Sequence, residues 1–164
     1  MHEVNMKAKK LVENALIAAV YTAAALLLAP ISYGVLQFRV SEALTLLPFM
    51  RKDTVWGVTV GCLLANLLNP LGVNPLDVIF GTLATLIAAL LTARCKNVFV
   101  AAVPPVAVNA VVIGAVLAYS MAPDAFLSSA VLFGAQVGLG QLVACFGLGI
   151  PLVYLLKKLG ILKA

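Results

Sequence analysis

Two stretches of this chain, Val78–Leu91 and Val98–Ala118, contain no charged residue. Runs this long and this apolar need either the interior of a large protein or the hydrocarbon of a bilayer. The chain has only 164 residues, 63% of them hydrophobic and 10% charged, whereas a soluble domain carries about 25% charged residues. Too little polar material is left to make a surface for water, and the mean hydropathy of +1.12 agrees. The outer face of the folded chain must therefore meet lipid.

Lipid offers no partners to free backbone groups, so only helices or a closed barrel can span it. A barrel needs strands of about ten residues that alternate apolar and polar, and the long unbroken runs do not alternate. The sequence thus predicts an all-α integral membrane protein, a compact bundle in one domain over residues 1–164. Cys62, Cys95 and Cys145 form no CxxC pair, so neither a metal site nor a disulfide framework is expected. The sole histidine, His2, lies beside the terminus and carries no catalytic expectation. No Gly-Lys-Ser/Thr, HExxH or GxSxG occurs. An ATPase of the P-loop type is excluded, and no cofactor is implied.

The punctuation of the chain predicts six helices, at about 11–31, 41–50, 54–69, 75–93, 98–119 and 125–156. Lys7, Lys9 and Lys10 ahead of an apolar run give the first segment the look of a signal peptide. It follows Met1 directly and is expected to stay as the first span. Ser41 is placed to cap the second segment, which at about 1.5 Å per residue is too short to cross a core of about 30 Å. Asp53 or Thr54 is placed to cap the third. Asn74 as N-cap, Pro75 at the first position and Asp77 at the third suit the start of the fourth. Pro104-Pro105 should kink the fifth. Gly134, Gly138, Gly140, Gly147, Gly149 and Pro151 should keep the sixth from being straight.

The charges give this parse an orientation. With the N-terminus inside, the cytoplasmic ends hold Lys7, Lys9, Lys10, Arg51, Lys52, Arg94, Lys96, Lys157, Lys158 and Lys163, and only Arg39 falls on the other side. That bias is the positive-inside pattern and predicts both termini in the cytoplasm. The net charge of +5 then reflects lysines at span ends that meet anionic membrane lipid, and no nucleic-acid partner is implied.

Polar residues inside a membrane are costly and usually face a bundle interior or a cavity. Here they are Gln37, Arg39, Glu42, Asn66, Asn69, Asn74 and Asp77 near the outer face, with Asn109, Gln136 and Gln141 deeper. Each has a plain structural role open to it. Glu42 can answer a helix dipole with Arg39 as its ion-pair partner, and Asp77 can complete a cap. The amides can bond neighbouring helices at about 0.6–2 kcal/mol each. The alternative is a site that captures a solute from outside. Small residues also recur at spacing four: Ala15, Ala19 and Ala23, then Gly57, Gly61 and Ala65, then Gly134 and Gly138. Such rows admit close helix approach, either within the bundle or to another membrane protein.

The block Tyr33-Gly34-Val35-Leu36-Gln37-Phe38-Arg39-Val40-Ser41-Glu42-Ala43-Leu44 resembles the QueT family. Gly61 to Asn66 and Leu76 to Leu86 continue the resemblance in the same order, and it covers about Leu11 to Arg94. QueT proteins are substrate-binding S components of energy-coupling-factor (ECF) transporters, associated with queuosine precursors. The resemblance implies six helices, an outward-facing pocket and no ATPase of its own. Its implied partners are a coupling protein (the T component) and two ATPase subunits. It also implies that Ala15, Ala19 and Ala23 face the coupling protein.

A 7-deazaguanine-type ligand offers two adjacent donors, which a carboxylate accepts at about 1.5–3 kcal/mol per charge-assisted bond. Glu42 is the first choice for that carboxylate and Asp77 the second. Asn66, Asn109 and Gln136 suit the remaining edge, Arg39 the carbonyl, and Phe38 or Tyr33 stacking on the base. Other readings are an S component for another flat vitamin or purine-like solute, and a small membrane enzyme on lipid or isoprenoid substrates. The enzyme lacks a visible catalytic set, and a purely structural subunit would not need Arg39, Glu42 and Asp77 on one side.

The topology is testable directly. In a chain whose own cysteines are replaced, Gly72→Cys should react with a membrane-impermeant maleimide from outside the cell. Reaction from the cytoplasmic side alone would invert the orientation.

Overall fold

The computed structural model describes residues 2–33 and 38–161. Gln37, within the polar group read from the sequence, lies outside the described residues. Every regular element among the described residues is helical. The main ones are α1 (His2–Leu27), α2 (Val40–Met50), α3 (Val55–Leu67), α4 (Asp77–Thr92), α5 (Val98–Met121) and α6 (Pro123–Lys158). α1 starts at His2 rather than near Leu11, and a single turn, Ala29–Ser32, follows it. By length and composition, Met6–Leu27, α5 and α6 can each cross a membrane, while α2 and α4 are shorter apolar helices.

Local chemistry explains most of the breaks. Asn74 opens α4 as expected, its Oδ1 accepting from the Leu76 N–H at 3.0 Å. Asn97 starts α5 in the same way, accepting from Phe99 N–H at 2.8 Å. α5 breaks at Ala102 and resumes with proline in its first turn, where a missing N–H costs nothing. α6 carries a π-helical stretch, Val143–Gly149, and resumes with Pro151 in its next first turn. Two expected caps are absent. Ser41 lies inside a 3₁₀ stretch, Val40–Leu46, behind an extended Arg39, and its hydroxyl has no partner among the described residues. At α3, the Thr54 hydroxyl turns back to the Arg51 carbonyl (2.8 Å) and Asp53 Oδ1 accepts from Arg51 Nε (2.7 Å). Neither side chain caps the helix.

α2 is buried on nearly every side. Ser41, Glu42, Ala43, Thr45, Leu46, Leu47 and Pro48 are all buried, against α1, α3, α4 and α6. Glycines bring its neighbours close. A Cβ at Gly61 would come within 2.7 Å of Tyr21 Cβ, so α1 and α3 touch almost backbone to backbone. α5 and α6 meet likewise, Gly114 against Gly134 and Gly134 against the Ala110 carbonyl. Gly149, in the π-helical stretch, faces the Ala43 carbonyl of α2. The Gly57–Gly61–Ala65 row therefore serves packing inside the bundle. Outward faces expose Leu11, Leu16, Leu27, Val111, Leu127 and Val131, an apolar exterior that a water-soluble monomer does not carry.

Two basic residues tie elements together. Arg51 Nη2 pairs with Glu13 at 2.6 Å and its Nε with Asp53 at 2.7 Å, tying α1 to the α2–α3 turn. Lys157 of α6 lies 4.9 Å over the Phe49 ring.

The α5–α6 crossing supplies a stability test. Gly114→Ala would place its Cβ 2.6 Å from the Gly134 Cα, a backbone atom that cannot rotate aside. Thermal unfolding in detergent should show a loss of about 1–3 kcal/mol. Gly147→Ala, whose nearest neighbour is 3.8 Å away, should stay within about 0.5 kcal/mol of the parent.

Candidate functional site

A short helix packed among others must find internal partners for the polar side chains it buries. α2 and its entry carry two such groups, Glu42 and Arg39, only 2% and 6% exposed. Glu42 Oε1 accepts from the Tyr21 hydroxyl of α1 at 2.5 Å. Its Oε2 accepts from Asn109 Nδ2 of α5 at 3.5 Å, the long limit of a hydrogen bond. The Glu42 carbonyl accepts from Thr45 Oγ1 (2.6 Å) and from Cys145 Sγ of α6 (3.7 Å). One residue thereby joins α1, α2, α5 and α6.

Arg39 does not pair with Glu42. Among the described residues both ion pairs belong to Arg51. The Arg39 guanidinium instead donates through Nε to the Ser32 carbonyl at 3.2 Å and lies 4.7 Å over the Tyr33 ring, a cation–π contact. Tyr33 is fixed in turn, donating its hydroxyl to the Ala65 carbonyl at 2.6 Å. Tyr33 thus ties the guanidinium to Ala65 of α3, the neighbour in sequence of Asn66. Among the described residues no carboxylate holds the outer fork of Arg39.

The second acid stands beside an amide. Asn66 of α3, 3% exposed, donates through Nδ2 to the Asp77 carbonyl at 2.9 Å. Gly81 makes room for that amide, since a Cβ there would lie 3.0 Å from Nδ2. Asn66 Oδ1 and Asp77 Oδ1 are both buried without a hydrogen-bond partner among the described residues. Asp77 thus does not complete the helix cap, which Asn74 provides alone.

The other sequence-derived residues divide. Asn69 and Asn74 hold turns, accepting from the N–H groups of Leu71 and Leu76 at 3.0 Å each. Gln141 accepts from Cys145 within α6 at 3.7 Å. Phe38 is half-buried directly before Arg39, and Gln136 is half-buried on α6 with its Oε1 unpartnered. Ala15, Ala19 and Ala23 are all exposed, on the side of α1 opposite the buried Ala18, Tyr21 and Thr22. Tyr21 escaped the reading of the sequence. The available signal was a phenol in an alanine-rich span, whose hydroxyl has to find a partner inside the bundle.

Comparison with known proteins fits this arrangement to a family. A family model described as "QueT transporter" matches residues 11–158. The chain is similar to a protein named "Queuosine precursor transporter QueT" from Lactococcus lactis subsp. cremoris, with 41% identity over 83 residues. That alignment covers 49% of this chain and 47% of the relative, so the match spans about half the length of each. No solved structure matches the chain.

Proposed function

The chain belongs to the QueT transporter family, and on that premise we propose that it is the substrate-binding S component of an ECF-type uptake transporter. It captures a queuosine precursor, a 7-deazaguanine-type base, from outside the plasma membrane. A coupling protein and two ATPase subunits, on separate chains, drive delivery inward. In this reading the protein is a transport subunit rather than an enzyme and crosses the membrane six times with both termini cytoplasmic.

One observation carries the reading: among the described residues, a buried arginine with no carboxylate bound to it shares a largely apolar bundle with the buried Glu42 and the half-buried Asp77, whose Oδ1 is buried and unpartnered. Packing alone gives no reason to keep such a cation. A guanine-like edge supplies what the cluster lacks, a carbonyl for Arg39 and two adjacent donors for acceptors. The geometry favours Asp77 and Asn66 for those donors, because their Oδ1 atoms are unpartnered. Both Glu42 oxygens already have donors, so Glu42 shapes the site and holds the helices that form it. Tyr33 and Phe38 flank the base, and Asn109 and Gln136 close it from α5 and α6.

The exposed alanines of α1 are the surface for the coupling protein. Their outward position supports this, since a small-residue row that packs nothing within its own chain is free to admit a helix of another.

Two measurements test the proposal. Purified protein in proteoliposomes should bind a deazaguanine; riboflavin, thiamine or biotin bound in its place would reassign the solute. Asp77→Asn should weaken binding by about 2–4 kcal/mol, roughly thirty- to a thousand-fold, because an amide donor then faces a donor on the base. Glu42→Gln should lower thermal stability and change affinity less. The opposite ranking would make Glu42 the residue that reads the donor edge. In the second measurement, Ala19→Trp should abolish transport in cells that hold the coupling subunits and leave solute affinity intact. A comparable loss of affinity would assign the alanine row to folding instead.

A further inference from the structure

A polar groove of about 230 Å³ lies between the α4–α5 connection and the end of α6, lined by none of the residues of the Arg39–Glu42 cluster. Its walls come from the α4–α5 connection (Lys96, Asn97), the foot of α5 (Phe99), the end of α2 (Phe49) and the last turns of α6 (Tyr154, Lys157). No acidic residue lines it. Neither lysine belongs to an ion pair among the described residues, where both pairs are Arg51's. Lys157 Nζ is turned in over the Phe49 ring at 4.9 Å. The Asn97 side-chain oxygen is taken by the Phe99 N–H at 2.8 Å, which leaves its NH2 as the free end. Two lysines, an amide with a free NH2 and a tyrosine therefore line one small space that no acidic residue lines, a composition that suits an anion.

Size and surroundings narrow the choice. The groove is below the roughly 300–1,000 Å³ of sites that enclose a drug-sized molecule, so it suits a head group rather than a whole metabolite. Exposed Phe99, Val100 and Val103 continue from it along α5 and offer an apolar wall to an acyl chain. We propose that this groove binds the phosphodiester of an anionic phospholipid, with Lys96 and Lys157 on the phosphate and Asn97 and Tyr154 on the glycerol. The site is thus a defined lipid position, distinct from the diffuse attraction of the other lysines.

Native mass spectrometry of the purified full chain in detergent tests this with phosphatidylglycerol and phosphatidylcholine as probes. The parent should retain phosphatidylglycerol preferentially. The double variant Lys96→Ala/Lys157→Ala should lose roughly thirty-fold of that preference, from two basic residues near the membrane surface. Lys9→Ala/Lys10→Ala removes the same charge from exposed positions on α1 and should keep it. All four lysines are exposed, so folding should survive in both variants. Equal loss in the two variants would overturn the site in favour of diffuse charge. Displacement of the lipid by millimolar inorganic phosphate would overturn the lipid assignment and leave a free-anion site.

Discussion

The hydrogen bond from Tyr21 to Glu42 is the contact on which the rest of the arrangement depends. A buried carboxylate is expensive in a medium that can solvate nothing, and it persists only where donors are fixed in advance. Tyr21 supplies one from α1 and Asn109 another from α5. Glu42 itself sits on a helix too short to span and buried on nearly every side. Removing any of these three side chains would leave polar atoms of the others without the partners they have now. The carboxylate therefore fixes how α1 and α5 stand about α2, whatever further role it has toward a ligand.

Close approach by glycine makes that contact possible. Tyr21 presses its Cβ onto Gly61, and α1 can come no nearer to α3. The same helix is two-faced. Ala18, Tyr21 and Thr22 point inward, and Thr22 also bonds across to the Gly61 carbonyl at 3.1 Å. Ala15, Ala19 and Ala23 point outward. The inner and outer faces of α1 are thus separate surfaces on one helix.

Much of this was legible in the sequence. Continuous apolar runs require helices in lipid, and Asn74 and Pro104-Pro105 mark boundaries because their effects act within a turn. Arg39, Glu42, Asn66 and Asp77 were recognisable because any polar atom in such a chain has to be accounted for. The errors arise where tertiary contacts override local signals. Ser41 has the chemistry of a cap, but α2 opens as a 3₁₀ stretch packed against the π-helical part of α6, and the hydroxyl ends inside it. Thr54 and Asp53 are drawn to Arg51, which bridges to Glu13 some forty positions away in the chain. No spacing rule reaches that far. Tyr21 was missed for the same reason, since its partner lies on another helix.

Arg39 and Glu42 show why proximity in sequence is a poor guide to pairing. Three positions apart, they suggest an ion pair, yet the guanidinium goes to a carbonyl and an aromatic face. A direct pair would satisfy both charges and leave nothing to offer. Breaking it to admit a ligand would cost much of what the ligand's own bond returns, since an unpaired buried charge is heavily penalised. Among the described residues the guanidinium is held through Nε to a carbonyl, which orients it and leaves its fork outside any ion pair. Pre-organisation of this kind reduces the rearrangement that binding requires. It also accounts for a feature that stability alone does not, a cation kept deep in an apolar bundle and given only weak partners.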